Sequence, residues 1–96
     1  MTPHPSGGYV RVITTEHNTL YSDAEGRSHR LDGPAITRKY DGGSIDYWVN
    51  GRPHRLDGPA VIRAIGPDEW WLFGRPVTEE KHAEIVARLR ATGEAP

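Results

Sequence analysis

The stretch His29–Ala35 reads HRLDGPA, and the same seven letters return at His54–Ala60, twenty-five residues later. A Gly-Arg pair precedes each copy, and a third, incomplete copy begins at Gly74, with Val77 in the place of the histidine. A repeat of this period indicates one supersecondary unit stacked on itself, with atypical units at the ends. It also argues against an active site built from the repeated residues, because chemistry rarely needs two copies of its groups.

An aromatic segment precedes the later copies of the repeat. Tyr47–Gly51 (YWVNG) aligns with Trp70–Gly74 (WWLFG). The segment before the first copy lacks this aromatic pair, and its loop over residues 23–26 is longer. The sequence therefore predicts one full unit with an imperfect unit ahead of it.

Short runs of alternating or β-branched residues, separated by turns that contain glycine, predict an antiparallel β-meander. The predicted strands are 9–14, 19–22, 35–40, 44–49, 60–65 and 69–73. Asp41-Gly42-Gly43 is a strong hairpin signal, because glycine accepts the positive φ that tight turns require. The fold class that follows is mainly β: stacked hairpin repeats closed by one C-terminal capping helix.

The periodicity changes to that of a helix after Pro76. Thr78 suits the N-cap, Gly93 suits the stop, and residues 82, 85, 86 and 89 share one face. We expect one domain, with a flexible leader over 1–8, a hairpin-repeat region over 9–77, a capping helix over 78–91 and a flexible tail over 92–96.

Composition excludes several classes of protein. The 96 residues include no cysteine, which rules out a disulfide framework, a thiolate nucleophile and a cysteine-type zinc site. Twelve basic and thirteen acidic residues give a net charge of −1, so no strong attraction to nucleic acid or to an anionic membrane is expected. No apolar run approaches the length of a membrane span.

The repeated motif has a structural interpretation at every position. Asp-Gly-Pro forms turns, the arginine can pair with the aspartate or lie across a ring such as Trp48 or Trp71, and the histidine can both pack and hydrogen-bond. We therefore assign a structural role to both copies, which comprise His29, Arg30, Asp32, Gly33, Pro34, His54, Arg55, Asp57, Gly58 and Pro59.

A metal site is the sharpest alternative. Stacking could bring together His29, Asp32, His54 and Asp57, and zinc accepts both histidine and carboxylate ligands. The chain would then be a metal-binding module or a metal-dependent hydrolase. Turn geometry already explains each pair, so we predict no metal, no cofactor and no catalytic residue.

The aromatic residues have two interpretations, as packing residues or as a binding surface. Adjacent strand residues point to opposite faces, so both members of Tyr47/Trp48 or Trp70/Trp71 cannot enter one core. A tryptophan surface flanked by arginine is typical of protein-binding sites. The predicted partner-binding residues are Trp48, Trp70, Trp71, Arg52 and Arg75.

The segment Trp48–Ala60 (WVNGRPHRLDGPA) resembles a repeat of small proteins in tailed phages and some bacteria. It is also similar to the MORN-type repeat of an antitoxin-like family, whose units are stacked β-hairpins. The ending, Glu69–Glu80, is similar to the last hairpin and helix of those phage proteins. The resemblance covers residues 19–89 and implies stacked hairpins, protein or lipid contacts and no catalytic residues. Because HRLDGPA departs from the MORN pattern, we carry over the architecture and the phage or bacterial setting.

These observations predict a non-enzymatic protein-binding module, an accessory protein that binds and inhibits a host protein such as a defence component. The expected location is the cytoplasm of a bacterial host. A homodimer through exposed sheet edges is compatible with the meander. A nucleic-acid-binding module, with arginines gathered on one face despite the neutral total, is a further alternative.

Overall fold

The computed structural model describes residues 7–39 and 43–93. Nine short strands precede one helix in this part of the chain. Their bounds are β1 Arg11–Thr14, β2 Asn18–Ser22, β3 Ile36–Arg38, β4 Ser44–Asp46, β5 Trp48–Val49, β6 Arg52–Pro53, β7 Val61–Arg63, β8 Trp70–Leu72, β9 Arg75–Val77 and α1 Glu79–Thr92. The predicted fold class is confirmed. Residues 1–6 of the predicted leader, Tyr40, Asp41 and Gly42 at the predicted hairpin, and residues 94–96 of the predicted tail lie outside the described residues.

The strands form one large sheet and two small ones. The large sheet has the order β1-β2-β3-β4-β7 and is antiparallel throughout, while β5-β6 and β8-β9 are separate two-stranded hairpins. The predicted strand 44–49 is divided at Tyr47, because β4 pairs with β7 and β5 pairs with β6. Tyr47 N–H donates to the carbonyl of Ala60 over 2.7 Å, which fixes the point where the chain changes sheets.

The same backbone bonds recur in successive units. Tyr21 N–H donates to Ala35 O over 2.8 Å, as Tyr47 does to Ala60. Both alanines are fully buried, where a larger side chain would separate the strands. Ser22 bridges to Ser28 in the place that β5 and β6 occupy one unit later. The first unit is therefore a complete hairpin in its backbone, although it lacks the aromatic pair.

The core is small and contains several polar groups. Its buried apolar residues among the described part of the chain are Ala35, Ile36, Ala60, Val61, Leu72 and Val86. Five polar or charged residues are buried with them: Asp23, His29, Asp46, His54 and His82. Specific hydrogen bonds must therefore carry much of the architecture, since buried polar groups are costly unless they are paired.

Helix α1 closes the series of hairpins as the sequence predicts. Thr78 Oγ1 accepts a hydrogen bond from Lys81 N–H over 3.1 Å, and Gly93 ends the helix with a φ of 74°. His82 and Val86 are the buried residues of the helix, which packs against β8. Within the described part of the chain, no helix has the length and apolar character that crossing a membrane requires.

Candidate functional site

Each motif histidine holds the turn of the next hairpin. His29 Nδ1 accepts a hydrogen bond from Asn50 N–H over 2.9 Å, and His54 Nδ1 accepts one from Phe73 N–H over 3.0 Å. Because Nδ1 is the acceptor, the ring proton of each neutral histidine lies on Nε2. The two imidazoles therefore share one structural role, which is to satisfy a backbone donor that its own hairpin leaves unpaired.

The two turns share a backbone that suits asparagine better than phenylalanine. Asn50 and Gly51 have φ values of 55° and 76°, and Phe73 and Gly74 have values of 54° and 82°. Positive φ at both central residues is the mark of a two-residue type I′ turn, for which Asn-Gly is preferred. Phe73 therefore occupies a conformation that disfavours a bulky side chain. Phe73 is 46% exposed, and its ring packs on the His54 ring at 4.4 Å between centroids.

The motif arginines stack on tyrosines. Arg30 Cζ lies 4.0 Å from the centre of the Tyr21 ring, and Arg55 Cζ lies 3.9 Å from that of Tyr47. The expectation that Trp48 or Trp71 would supply these rings is wrong, because the tyrosine is the residue of each unit that lies beneath the arginine. Cation–π contacts of this kind favour an ordered guanidinium.

The third unit replaces the arginine with a residue of the helix. Trp70 occupies the position of Tyr21 and Tyr47, and its ring meets His82 edge-on at 4.8 Å. His82 is 3% exposed, and its Nε2 lies 2.6 Å from the carbonyl oxygen of Arg55. This pairing explains how the helix fits the end of the array.

The remaining motif residues form the loops around the arginines. Arg30 donates to Asp32 over 2.7 Å, whereas Asp57 accepts from Arg90 of the helix over 2.6 Å. A Cβ at Gly33 would lie 2.9 Å from Arg30 Cζ, so a larger residue there would push the guanidinium from its present position. The same loops place Gly58 beside Arg55, and the carbonyls of Pro34 and Pro59 accept from Arg30 and Arg55 at 3.4 and 3.2 Å.

The predicted binding tryptophans are half-buried within the hairpins. Trp71 Nε1 donates to Glu69 Oε1 over 2.9 Å, and Arg63 also hydrogen-bonds the Glu69 carboxylate. Hydrogen bonds from Trp71 and Arg63 hold the pKa of Glu69 below its ordinary value. Trp48 is the equivalent of Trp71, yet its buried Nε1 has no partner among the described residues. Trp70 packs against the helix, so the three rings do not form one exposed stripe.

Three arginines that follow a turn glycine differ in their partners. Arg27 is paired with Asp23 at 2.8 Å and with Glu25 at 2.6 Å. The side chains of the equivalent Arg52 and Arg75 are exposed and have no hydrogen bond or ion pair within residues 7–39 and 43–93. The Arg52 stem packs on the Phe73-Gly74 turn, with its carbons 3.3 Å from where a Gly74 Cβ would lie.

We call the exposed part of these two hairpins the turn surface, defined as Asn50, Arg52, Phe73 and Arg75. A shallow cavity of about 410 Å³ lies on it, lined by Arg27, Val49, Asn50, Arg52, His54 and Phe73. The sequence identified both arginines of this surface but missed Phe73. The sequence does align Phe73 with Asn50 at the first position of a turn, but this alignment is informative only once the φ of the turn is known.

A second groove, of about 480 Å³, lies between the two motif loops, where Tyr47 and Val49 line it together with parts of both motifs. It includes Asp32, His54 and Asp57 but not His29. No three His, Cys, Asp or Glu side chains of the described residues are grouped so that they could hold a metal ion. Burial lowers the pKa of His54, and the proximity of His82 lowers it further. A buried, neutral His54 suits its structural role.

No family model, curated protein or solved structure matches this chain.

Proposed function

We propose that this chain is a non-enzymatic binding module that captures another protein through its turn surface. The observation that carries the proposal is Phe73, an exposed aromatic side chain held at a φ of 54° where the equivalent turn uses asparagine. A residue kept in an unfavourable conformation commonly serves a function that a better-suited residue would not provide. Exposed aromatic and arginine side chains are also the groups that dominate protein-binding hot spots.

The contacts of the repeated motif support a scaffold role for the motif residues, distinct from the turn surface that binds the partner. The histidines accept backbone hydrogen bonds, the arginines stack on tyrosines, and the aspartates pair with arginines. Each of the four residues considered as metal ligands therefore has an internal partner. We assign these residues to the scaffold and assign no catalytic role to any of them.

The biological setting in the proposal comes from the sequence resemblance. Repeat proteins of tailed phages and bacteria suggest an accessory protein that binds and inhibits a host protein in the bacterial cytoplasm. The predicted residues Arg52 and Arg75 remain in the proposed site, and Phe73 joins them. Trp48, Trp70 and Trp71 stay predictions, and each of them is half-buried within its hairpin.

The test compares capture of host proteins by the wild type and by Phe73→Asn, with the bound proteins identified by mass spectrometry. Asparagine suits the turn, so this variant should keep the fold and lose the captured partner. Ile65→Asn is the matched control, because Ile65 is an apolar side chain, 78% exposed, outside the turn surface. A partner captured equally by all three proteins would place the site elsewhere.

A second copy of the chain is a separate candidate partner, at the β1 edge of the large sheet. All four residues of β1 are exposed. Val12 in β1 lies opposite Tyr21 in β2, and the Tyr21 N–H donates to Ala35 O instead of to β1. Val12 and Tyr21 are therefore a pair without mutual hydrogen bonds, and the N–H and carbonyl of Val12 point away from β2, toward the edge of the sheet. Sedimentation equilibrium of the wild type against Val12→Lys tests this pairing, because an edge lysine opposes strand addition. A monomeric wild type would end the dimer proposal.

A further inference from the structure

The first unit of the array shows what its turn arginine binds. Arg27 Nε donates to Asp23 Oδ2 over 2.8 Å, and Arg27 Nη2 lies 2.6 Å from Glu25 Oε2. Both carboxylates come from the long first loop, in which one residue separates them. The loop is anchored from within, since Asp23 Oδ1 also accepts the backbone N–H groups of Glu25 and Arg27. An acidic Asp-x-Glu segment thus satisfies this arginine inside the chain.

The next two units keep the arginine and lose the acids. Arg52 follows the two-residue turn Asn50-Gly51, and Arg75 follows Phe73-Gly74, so neither hairpin has a loop that could supply a carboxylate. Resting on the proposed function, we propose that Arg52 and Arg75 bind a protein partner through an acidic segment of the Asp-x-Glu type, beside Phe73. The partner would supply to these two positions what residues 23–25 supply to Arg27.

Packing prepares Arg52 for this role. Its Cβ, Cγ and Cδ atoms lie against Gly74, as those of Arg27 lie against Gly51. A stem that is already packed loses less side-chain entropy when the guanidinium binds. A guanidinium can donate two parallel hydrogen bonds to one carboxylate, so this charge-assisted pairing would orient the partner's carboxylate as well as attract it.

The charge distribution favours carboxylates over a nucleic-acid backbone. Most other described arginines already have acidic partners, including Arg38 with Asp46 at 3.0 Å and Arg90 with Asp57 at 2.6 Å. Binding of a phosphate backbone requires several free cations along a stripe. Two free arginines on neighbouring hairpins, with an aromatic ring between them in the chain, suit a short acidic peptide instead.

The test uses the chain's own acidic segment as a probe. An acetylated and amidated peptide of residues 20–25 (LYSDAE) is titrated into the isotope-labelled protein, next to a peptide with Asn and Gln at the two acidic positions. The acidic peptide should shift the NMR signals of Arg52, Phe73, Gly74 and Arg75, with an affinity at least about fivefold above that of the neutral peptide. Rising salt should weaken the interaction.

Two variants and a control complete the experiment. Arg52→Gln combined with Arg75→Gln should abolish the shifts, and Arg52→Lys with Arg75→Lys should weaken them, because lysine lacks the planar fork. Arg11→Gln, which changes an exposed arginine on β1, should leave them unchanged. Amide spectra of each variant show whether the fold is retained, and the lysine pair keeps the test valid if the glutamine pair unfolds.

Three outcomes would overturn the inference: no shift with the acidic peptide, equal shifts with both peptides, or tighter binding of an oligodeoxythymidine to the same arginines. These results differ from failure of the proposed function. If the peptide fails while Phe73→Asn still loses a captured protein, the turn surface binds a partner of other chemistry. If the peptide binds while capture is insensitive to Phe73→Asn, the acidic site exists but does not carry the proposed function.

Discussion

Phe73 N–H donates to His54 Nδ1 over 3.0 Å, and the Phe73 ring lies on the same imidazole. One histidine therefore fixes both the backbone and the side chain of a residue whose φ is unfavourable. Asn50 N–H donates the equivalent backbone hydrogen bond to His29 Nδ1 over 2.9 Å, without any ring contact. Both turns therefore have the hydrogen bond to a histidine, and only the second turn has an exposed aromatic ring in addition.

Exchanging the two turn residues should move stability in opposite directions. Phe73→Asn relieves a left-handed conformation that costs about 1 kcal/mol, partly offset by the lost ring contact, so the free energy of unfolding should rise or stay level. Asn50→Phe should lower it by about 1 kcal/mol. Urea denaturation measures both changes. A clear loss of stability in Phe73→Asn would mean that the ring is a core residue.

Removing either motif histidine should be more damaging than the loss of a buried ring alone. His29→Ala and His54→Ala each leave a turn N–H without its partner and remove a buried ring, and the unpaired amide alone should cost about 1–3 kcal/mol. Unfolding monitored by tryptophan fluorescence gives the value. His17→Ala, on an exposed histidine, is the control and should change the free energy of unfolding little. Equal effects at all three positions would contradict the turn-holding role.

Lengthening Asp46 by one methylene, in Asp46→Glu, should stabilise the protein by giving Trp48 a hydrogen-bond partner. Glu69 reaches the indole of Trp71, whereas Asp46 Oδ1 and Trp48 Nε1 are both buried and have no hydrogen-bond partner in the part of the chain that the structure describes. Asp46→Glu should form the missing bond, raise the free energy of unfolding by about 1 kcal/mol and shift the indole N–H signal of Trp48 downfield. Glu69→Asp is the reciprocal variant and should lower stability by a similar amount. An unchanged indole signal in Asp46→Glu would refute the geometric explanation.

Stability should fall in mild acid because of His54. Burial, and secondarily His82, lower the pKa of this histidine in the folded protein. The unfolded chain takes up the proton at an ordinary pKa of about 6.5, before the folded protein does. The free energy of unfolding should therefore fall as pH drops from about 6.5 through the folded pKa. Urea titrations at several pH values should give a shallower dependence of the free energy of unfolding on pH for His54→Gln than for the wild type.

The sequence predicted those features that depend on local conformation. The repeated Asp-Gly-Pro turn, the Thr78 cap and the Gly93 stop each follow from backbone preferences of the residues themselves, and the structure has the helix at Glu79–Thr92. The period of the repeat was enough to predict a stack of hairpins. Local backbone preferences were sufficient to predict the stack because the units have nearly the same sequence.

Features that depend on contacts between units could not be predicted in this way. The ring beneath Arg55 is Tyr47 rather than a tryptophan, and the chain changes sheets at Tyr47, because both depend on how neighbouring units pack. The strain at Phe73 was hidden for a related reason, since the alignment with Asn50 becomes informative only when the φ of the turn is known. The partner-binding role of this surface remains a prediction.

The bond from each motif histidine reaches forward along the chain, from His29 to Asn50 and from His54 to Phe73. The array therefore has a direction along the chain. The ribosome synthesises each histidine before the turn whose amide it will bind, so a nascent unit is complete only when the next unit has emerged. The same direction makes duplication of an interior unit compatible with the rest of the array. A copied interior unit brings its own turn for the histidine upstream and its own histidine for the turn downstream, so the terminal helix can stay as it is.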